Sequence, residues 1–187
     1  VVVSGTHAYV ADYLFGLEVI DITDPLHPEI VGHVDTPGYA VAVAVSGDHA
    51  YVADLVSGVQ VIDIADPENP QLVGSVNTGE YAWGVCVADA HVYVADQSLG
   101  LQVVDVVDPA LPRIVATLDT PGLAYGVTVA GTLAYVADDA SGLEVVDIAD
   151  PAHPRMVGKV DTTGEAWGVA ISGDYAYVAD RSAGLQV

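Results

Sequence analysis

Aspartate, histidine and aromatic residues recur at fixed intervals along this 187-residue chain, and each recurrence is a candidate for chemistry. Asp12, Asp54, Asp96, Asp138 and Asp180 stand 42 residues apart, as do Asp21, Asp63, Asp105 and Asp147, and Asp24, Asp66, Asp108 and Asp150. A ring of such carboxylates could hold a cation on a symmetry axis, with calcium as the fitting hard ion. No DxDxDG loop supports calcium, however, and an Asp that recurs in every copy of a unit more simply caps the same local turn in each. His7, His49 and His91 share one repeat position with Leu133 and Tyr175, while His27 and His153 share another with Asn69 and Leu111. A position that accepts leucine is not bound to be a metal ligand, so no metal site is expected. Cys86 is the only cysteine, with Val2, Ala44, Thr128 and Ala170 as counterparts, and reads as a packed, inert thiol. Signatures of the form GxSxG, GxGxxG, GxxxxGK, HExxH and CxxC are absent, so no catalytic residue and no cofactor is expected.

The residues that differ between copies carry more information. The segment after each recurring Asp reads YLFG, LVSG, QSLG, DASG and RSAG, and the segment before each first strand reads DTPGYAVA, NTGEYAWG, DTPGLAYG and DTTGEAWG. Both belong to the same end of a four-stranded unit. That end displays Phe15, Tyr39, Tyr81, Trp83, Tyr125, Trp167 and Arg181, besides Tyr13 and Leu14. Val41, Trp83, Tyr125 and Trp167 share one position at the entrance of the innermost strand. Aromatic side chains at such a mouth suit sugar or peptide faces. They serve equally as wedges between units, since each of the three rings is followed by a glycine that makes room. The opposite end, with SGDH, ADAH, AGTL and SGDY turns and DPLHP-type loops, varies less and reads as scaffold.

The elements that must position these residues follow from a period of 42 without insertion or deletion, marked by Tyr9, Tyr51, Tyr93, Tyr135 and Tyr177. In the second copy, residues 40–47 predict a first strand, 49–54 a second, 58–65 a third ended by Asp66-Pro67, and 71–78 a fourth. Connections of about 2–6 residues join antiparallel neighbours. The inner strands are apolar on both faces and need cover on both, which stacked blades supply. The fourth strand is more polar, with Glu29, Gln71, Arg113 and Arg155 at one position, and fits a solvated edge. The fold expected is an all-β propeller of four-stranded blades, one domain over 1–187. Its blades lie at about 1–38, 39–80, 81–122 and 123–164, with a partial blade at 165–187. It forms a small five-bladed ring, part of a larger ring, or a ring completed by other chains as a homo-oligomer.

Composition narrows the partners. Apolar residues make up 52% and charged ones 16%, so the chain is not intrinsically disordered. No apolar run approaches the ~20 residues of a bilayer span, and no signal peptide is visible in the opening residues. The formal charge of −22, from 26 acidic residues against Arg113, Arg155, Arg181 and Lys159, repels phosphate backbones and anionic lipid. Neither nucleic acid nor membrane insertion is expected.

The segments LEVIDITDP, VQVIDIADP, LQVVDVVDP and LEVVDIADP resemble the LVIVD repeat of bacterial and archaeal proteins. That resemblance implies a surface or secreted β-propeller with no shared active site. The function expected is a non-catalytic interaction module that binds a protein or carbohydrate partner through its variable loop end. One alternative is a hydrolase or lyase whose site is completed outside this chain, with Asp139 and Arg181 as its odd polar residues. Another is a self-assembling surface spacer.

Overall fold

In a computed structural model covering residues 1–187, the chain forms five antiparallel sheets set radially as the blades of a β-propeller. Blade 1 holds β1 (Val2–Ser4), β2 (His7–Ala11), β3 (Leu17–Asp21) and β4 (Glu29–Val34). Blade 2 holds β5 (Ala42–Ser46), β6 (His49–Ala53), β7 (Val59–Asp63) and β8 (Gln71–Val76). Blade 3 follows with β9 (Gly84–Ala88), β10 (His91–Ala95), β11 (Leu101–Asp105) and β12 (Arg113–Leu118). Blade 4 has β13 (Gly126–Ala130), β14 (Leu133–Ala137), β15 (Leu143–Asp147) and β16 (Arg155–Val160). Blade 5 has three strands, β17 (Ala166–Ser172), β18 (Tyr175–Asp180) and β19 (Gly184–Gln186). Each sheet runs in chain order from inner to outer strand.

The strands owe their stability to being covered on both faces. Tyr9, Leu17 and Val19 of blade 1 pack on Val52, Ile62 and Ile64 of blade 2, and equivalent residues form a buried cluster between blades 2 and 3 and between 3 and 4. A smaller cluster of Ala137, Leu143, Ala166 and Val178 joins blade 4 to blade 5. The β-branched residues that dominate these strands suit such a pleated, doubly buried surface. The outer strands are exposed, as expected for edges. Each breaks register against the third strand at the same place, from Val19/Ile20 to Val145/Val146, a bulge that increases local twist.

The turns at the Asp-Pro end close on themselves. Asp21 and Asp24 accept from the backbone N–H of Thr23 (2.7 Å) and Leu26 (3.0 Å), and the pattern recurs in the next three blades.

Asp54, Asp96 and Asp138, expected to cap local turns, instead reach to the loop that arrives from the preceding blade. Asp54 accepts from the Thr36 hydroxyl at 2.7 Å and the Gly38 N–H at 2.8 Å, and Asp138 accepts from Thr120 at 2.6 Å and Gly122 at 2.8 Å. Asp96 accepts from Thr78 at 2.9 Å and from the Gln102 amide at 2.6 Å. All three carboxylates are fully buried, and burial pushes them above the usual carboxylate range in spite of these donors. Their oxygens are spent on loop donors, so they form no ring of carboxylates around the axis. Replacement of Asp96 by alanine would orphan the buried Thr78 hydroxyl and remove one of the two acceptors of the Gln102 amide. It is expected to cost about 2–4 kcal/mol. Urea unfolding would read that loss directly, and a loss below about 0.5 kcal/mol, within the range of ordinary surface changes, would show that the latch is dispensable.

Candidate functional site

Each latched loop delivers its next residues to the mouth of the propeller. Four residues past Thr36, Thr78, Thr120 and Thr162, the alanines Ala40, Ala82, Ala124 and Ala166 form isolated bridges with Tyr13, Leu55, Gln97 and Asp139 of the preceding blade. The Tyr13 N–H donates to Ala40 O at 2.8 Å, and the Ala40 N–H donates to Tyr13 O at 2.9 Å. The four partners of the alanines all have left-handed φ, between 42° and 51°. That conformation costs a non-glycine residue roughly 1 kcal/mol, which the paired hydrogen bonds offset. Arg181 holds the same position in blade 5, but it lies in a short 3-10 turn (Arg181–Ala183) and makes no such bridge.

One residue beyond each alanine is the position shared by Val41, Trp83, Tyr125 and Trp167. The inner strands that follow approach backbone to backbone. A Cβ on Gly84 would lie 2.7 Å from Tyr125 O, and one on Gly126 would lie 2.8 Å from Trp167 O. The side chain just before each glycine is thereby brought toward its neighbours.

Three rings meet there. Tyr125 stacks on Trp167 with centroids 4.5 Å apart and an interplanar angle of 22°. Trp83 meets Tyr125 edge-on at 5.6 Å and Trp167 at 6.0 Å. The Arg181 guanidinium lies 3.9 Å above the Trp167 ring and donates to Glu165 at 2.6 Å. The cluster is half-buried, and the Trp83 and Trp167 indole N–H groups are shielded without an acceptor in the protein. Its members therefore pack on one another as well as on solvent.

The other residues expected at this end divide differently. Tyr39 stacks on Tyr13, with centroids 4.6 Å apart and an interplanar angle of 19°. Beside them Leu14 and Phe15 are 65% and 61% exposed, and Tyr81 is also exposed. No ring contact joins Tyr39, Tyr81 or Phe15 to the tryptophan cluster, so the loop end holds two separate aromatic groups. Arg181 is engaged by Glu165 and Trp167 and makes no contact with Asp139. Cys86 is half-buried, and burial pushes its thiol up, consistent with an unreactive group. No three or more His, Cys, Asp or Glu residues are arranged to hold a metal ion.

Two polar features of the site escaped sequence reasoning. One is the set Thr36, Thr78 and Thr120, each 18 residues before a latching Asp, whose recurrence at 42 was the available signal; Thr162 and Asp180 keep the spacing without the hydrogen bond. The other is the position of Gln60, Gln102 and Glu144. Gln102 donates to both Asp96 and the Thr78 carbonyl, tying latch and loop together. Glu144 occupies the same buried place beside Asp138 with neither carboxylate oxygen hydrogen-bonded, and Lys159 Nζ is 3.6 Å away. Burial foremost, and the Asp138 charge, raise its pKa, against the pull of Lys159.

The family model described as the LVIVD repeat matches residues 1–36, 37–78, 79–120, 121–162 and 163–187, which together are the whole chain. The chain belongs to the LVIVD-repeat family. It is a β-propeller module of five repeats. Among solved structures it is similar to the computationally designed Ika8 protein, with a TM-score of 0.72 and 11% identity over 96% of this chain and 54% of that one. It is also similar to the computationally designed Ika4 protein, with a TM-score of 0.67 and 10% identity over 81% of this chain and 91% of that one. This LVIVD chain thus spans about half the length of Ika8, and at such identities the likeness concerns the fold alone. No curated protein is similar enough to match.

The contrast between Gln102 and Glu144 yields a pH prediction. A carboxyl whose folded-state pKa is raised stabilises the fold fully only below its unfolded pKa, and that contribution is lost as pH rises through the folded value. Glu144→Gln restores the amide of blade 3 and is expected to stabilise the protein by about 1–2 kcal/mol at pH 7. The gain should shrink toward pH 4. Equal gains at both pH values in denaturant titrations would show that Glu144 is not the titrating group.

Proposed function

We propose that this LVIVD propeller is a non-catalytic binding module whose loop end recognises a carbohydrate or protein partner through its aromatic side chains. The observation that carries this reading is the concentration of exposed apolar and aromatic residues in the variable loops of one end. Tyr13 and Tyr39 form a flat stacked platform there, flanked by exposed Leu14 and Phe15. Large exposed aromatics on a rigid frame lose little conformational entropy on binding, which is why they dominate interaction hot spots. The tryptophan cluster adds Arg181, a cation already desolvated on one side by Trp167. Family membership is in keeping with a module at the cell surface, and the charge of −22 favours a neutral or cationic partner over an anionic one.

The chain's only two tryptophans both sit in the cluster, so their fluorescence reports directly on that end. Titration with neutral hexasaccharides and with basic and neutral peptides, followed by this fluorescence and by calorimetry that also registers binding at the Tyr13–Tyr39 platform, is expected to give a saturable change for one class. Tyr39→Ala and Phe15→Ala should each weaken that binding about tenfold. A flat response to every probe, or binding untouched by both substitutions, would remove this loop end as the recognition surface.

A further inference from the structure

The position shared by Gln60, Gln102 and Glu144 is surrounded by acceptors. Gln60 donates its amide to the Ser57 carbonyl at 2.8 Å, and Gln102 donates to the Thr78 carbonyl and to Asp96. Neither amide oxygen meets a donor, in side chains that are each only 1% exposed. Glu144 is fully buried at the same place, and neither of its oxygens is hydrogen-bonded. An ionised carboxyl can only accept, whereas a protonated one carries an O–H that donates as the amide does. The strand register agrees. β15 sets Glu144 opposite Lys159 on β16, where Gln60 and Gln102 lie opposite Ser75 and Thr117. In blade 1, Glu18 lies opposite His33. An acid at the inner position is matched by a basic residue on the outer strand, and an amide by a hydroxyl. Lys159 Nζ stands 3.6 Å from Glu144, on a side chain that is 56% exposed.

We infer that Glu144 is a proton-operated switch in blade 4, which exchanges one partner for another and so sets how firmly the loop leading to Tyr125 is held. Protonated, it donates to Asp138 or to the Thr120 carbonyl, as Gln102 donates to Asp96 and the Thr78 carbonyl, and locks the arriving loop. Ionised, it loses that bond, repels the buried Asp138 carboxylate and turns to the Lys159 ammonium. Asp138 and Lys159 are the charged groups that face it. Asp139 adds its charge beside Asp138, and Asp119 of the arriving loop is exposed. Burial favours the protonated form and Lys159 the ionised one, and burial prevails, so the exchange falls above the usual carboxylate range. The loop that Asp138 holds through Thr120 and Gly122 runs by way of the bridging Ala124 straight to Tyr125, whose ring stacks on Trp167 at 4.5 Å. Loss of the proton therefore loosens the aromatic cluster, whatever that end of the propeller binds.

Tryptophan emission followed over about pH 4–9, between the ordinary titrations of carboxylates and lysine, tests the switch. The wild type is expected to show a transition above the usual carboxylate range. Glu144→Gln should abolish it and hold the emission at its low-pH value, because the amide donates at every pH. Lys159→Met should move it to higher pH by about one unit, since the charge that favours the ionised form is gone. Glu165→Gln should leave it in place, because that carboxyl lies against Arg181 and not against the latch. Wild-type emission that does not change with pH would overturn the proposal. So would a transition that persists in Glu144→Gln, one that Lys159→Met does not move, or one that vanishes in Glu165→Gln.

Discussion

The hydrogen bonds between a buried aspartate and the threonine loop entering its blade hold the rest of this propeller in register. A four-stranded sheet is joined to the next by one loop alone, and packing between flat apolar faces resists sliding only weakly. The carboxylates of Asp54, Asp96 and Asp138 fix where each loop crosses, and so where each inner strand begins. Burying a carboxylate is costly unless its oxygens are matched by donors. Here a hydroxyl with a backbone N–H, or with the Gln102 amide, supplies them, and in blade 4 a second buried carboxyl, Glu144, stands where blade 3 has that amide.

From the latch the consequences run outward to the surface. The fixed crossing point places the bridging alanine, the alanine pins a left-handed residue in the preceding blade, and the next residue projects toward the mouth. Close approach of Gly84 and Gly126 to the neighbouring backbone then brings Trp83, Tyr125 and Trp167 into one cluster. The aromatic end is therefore a product of backbone constraints several residues away, and the side chains that differ among blades are displayed on a frame that does not differ.

Much of this was legible in the sequence, and the parts that were not share a cause. The period, the four strands of each blade, the exposed outer strand and the Asp-Pro turns are local patterns, so alternation, branching and turn chemistry were enough. The loop end was legible because the copies disagree there, at Tyr13 to Phe15 and at Trp83. The role of Asp54 and its copies was not, because its partner Thr36 lies 18 residues upstream and only the fold brings the two together. Arg181 was placed at the loop end, but its stacking on Trp167 was not legible, since it depends on a turn that departs from the other four blades.

The latch also sets terms for how such a chain can change. Because an aspartate must find a threonine at a fixed separation, and the intervening strands must keep step, lengthening or shortening a loop would dislocate a whole blade. Substitution within the short segments at the mouth dislocates nothing. The loop end of this architecture therefore diversifies by spelling and not by length. Each blade offers the same few positions, each position accepts residues as different as valine and tryptophan, and the loop surface is written one letter at a time on a page whose ruling is fixed.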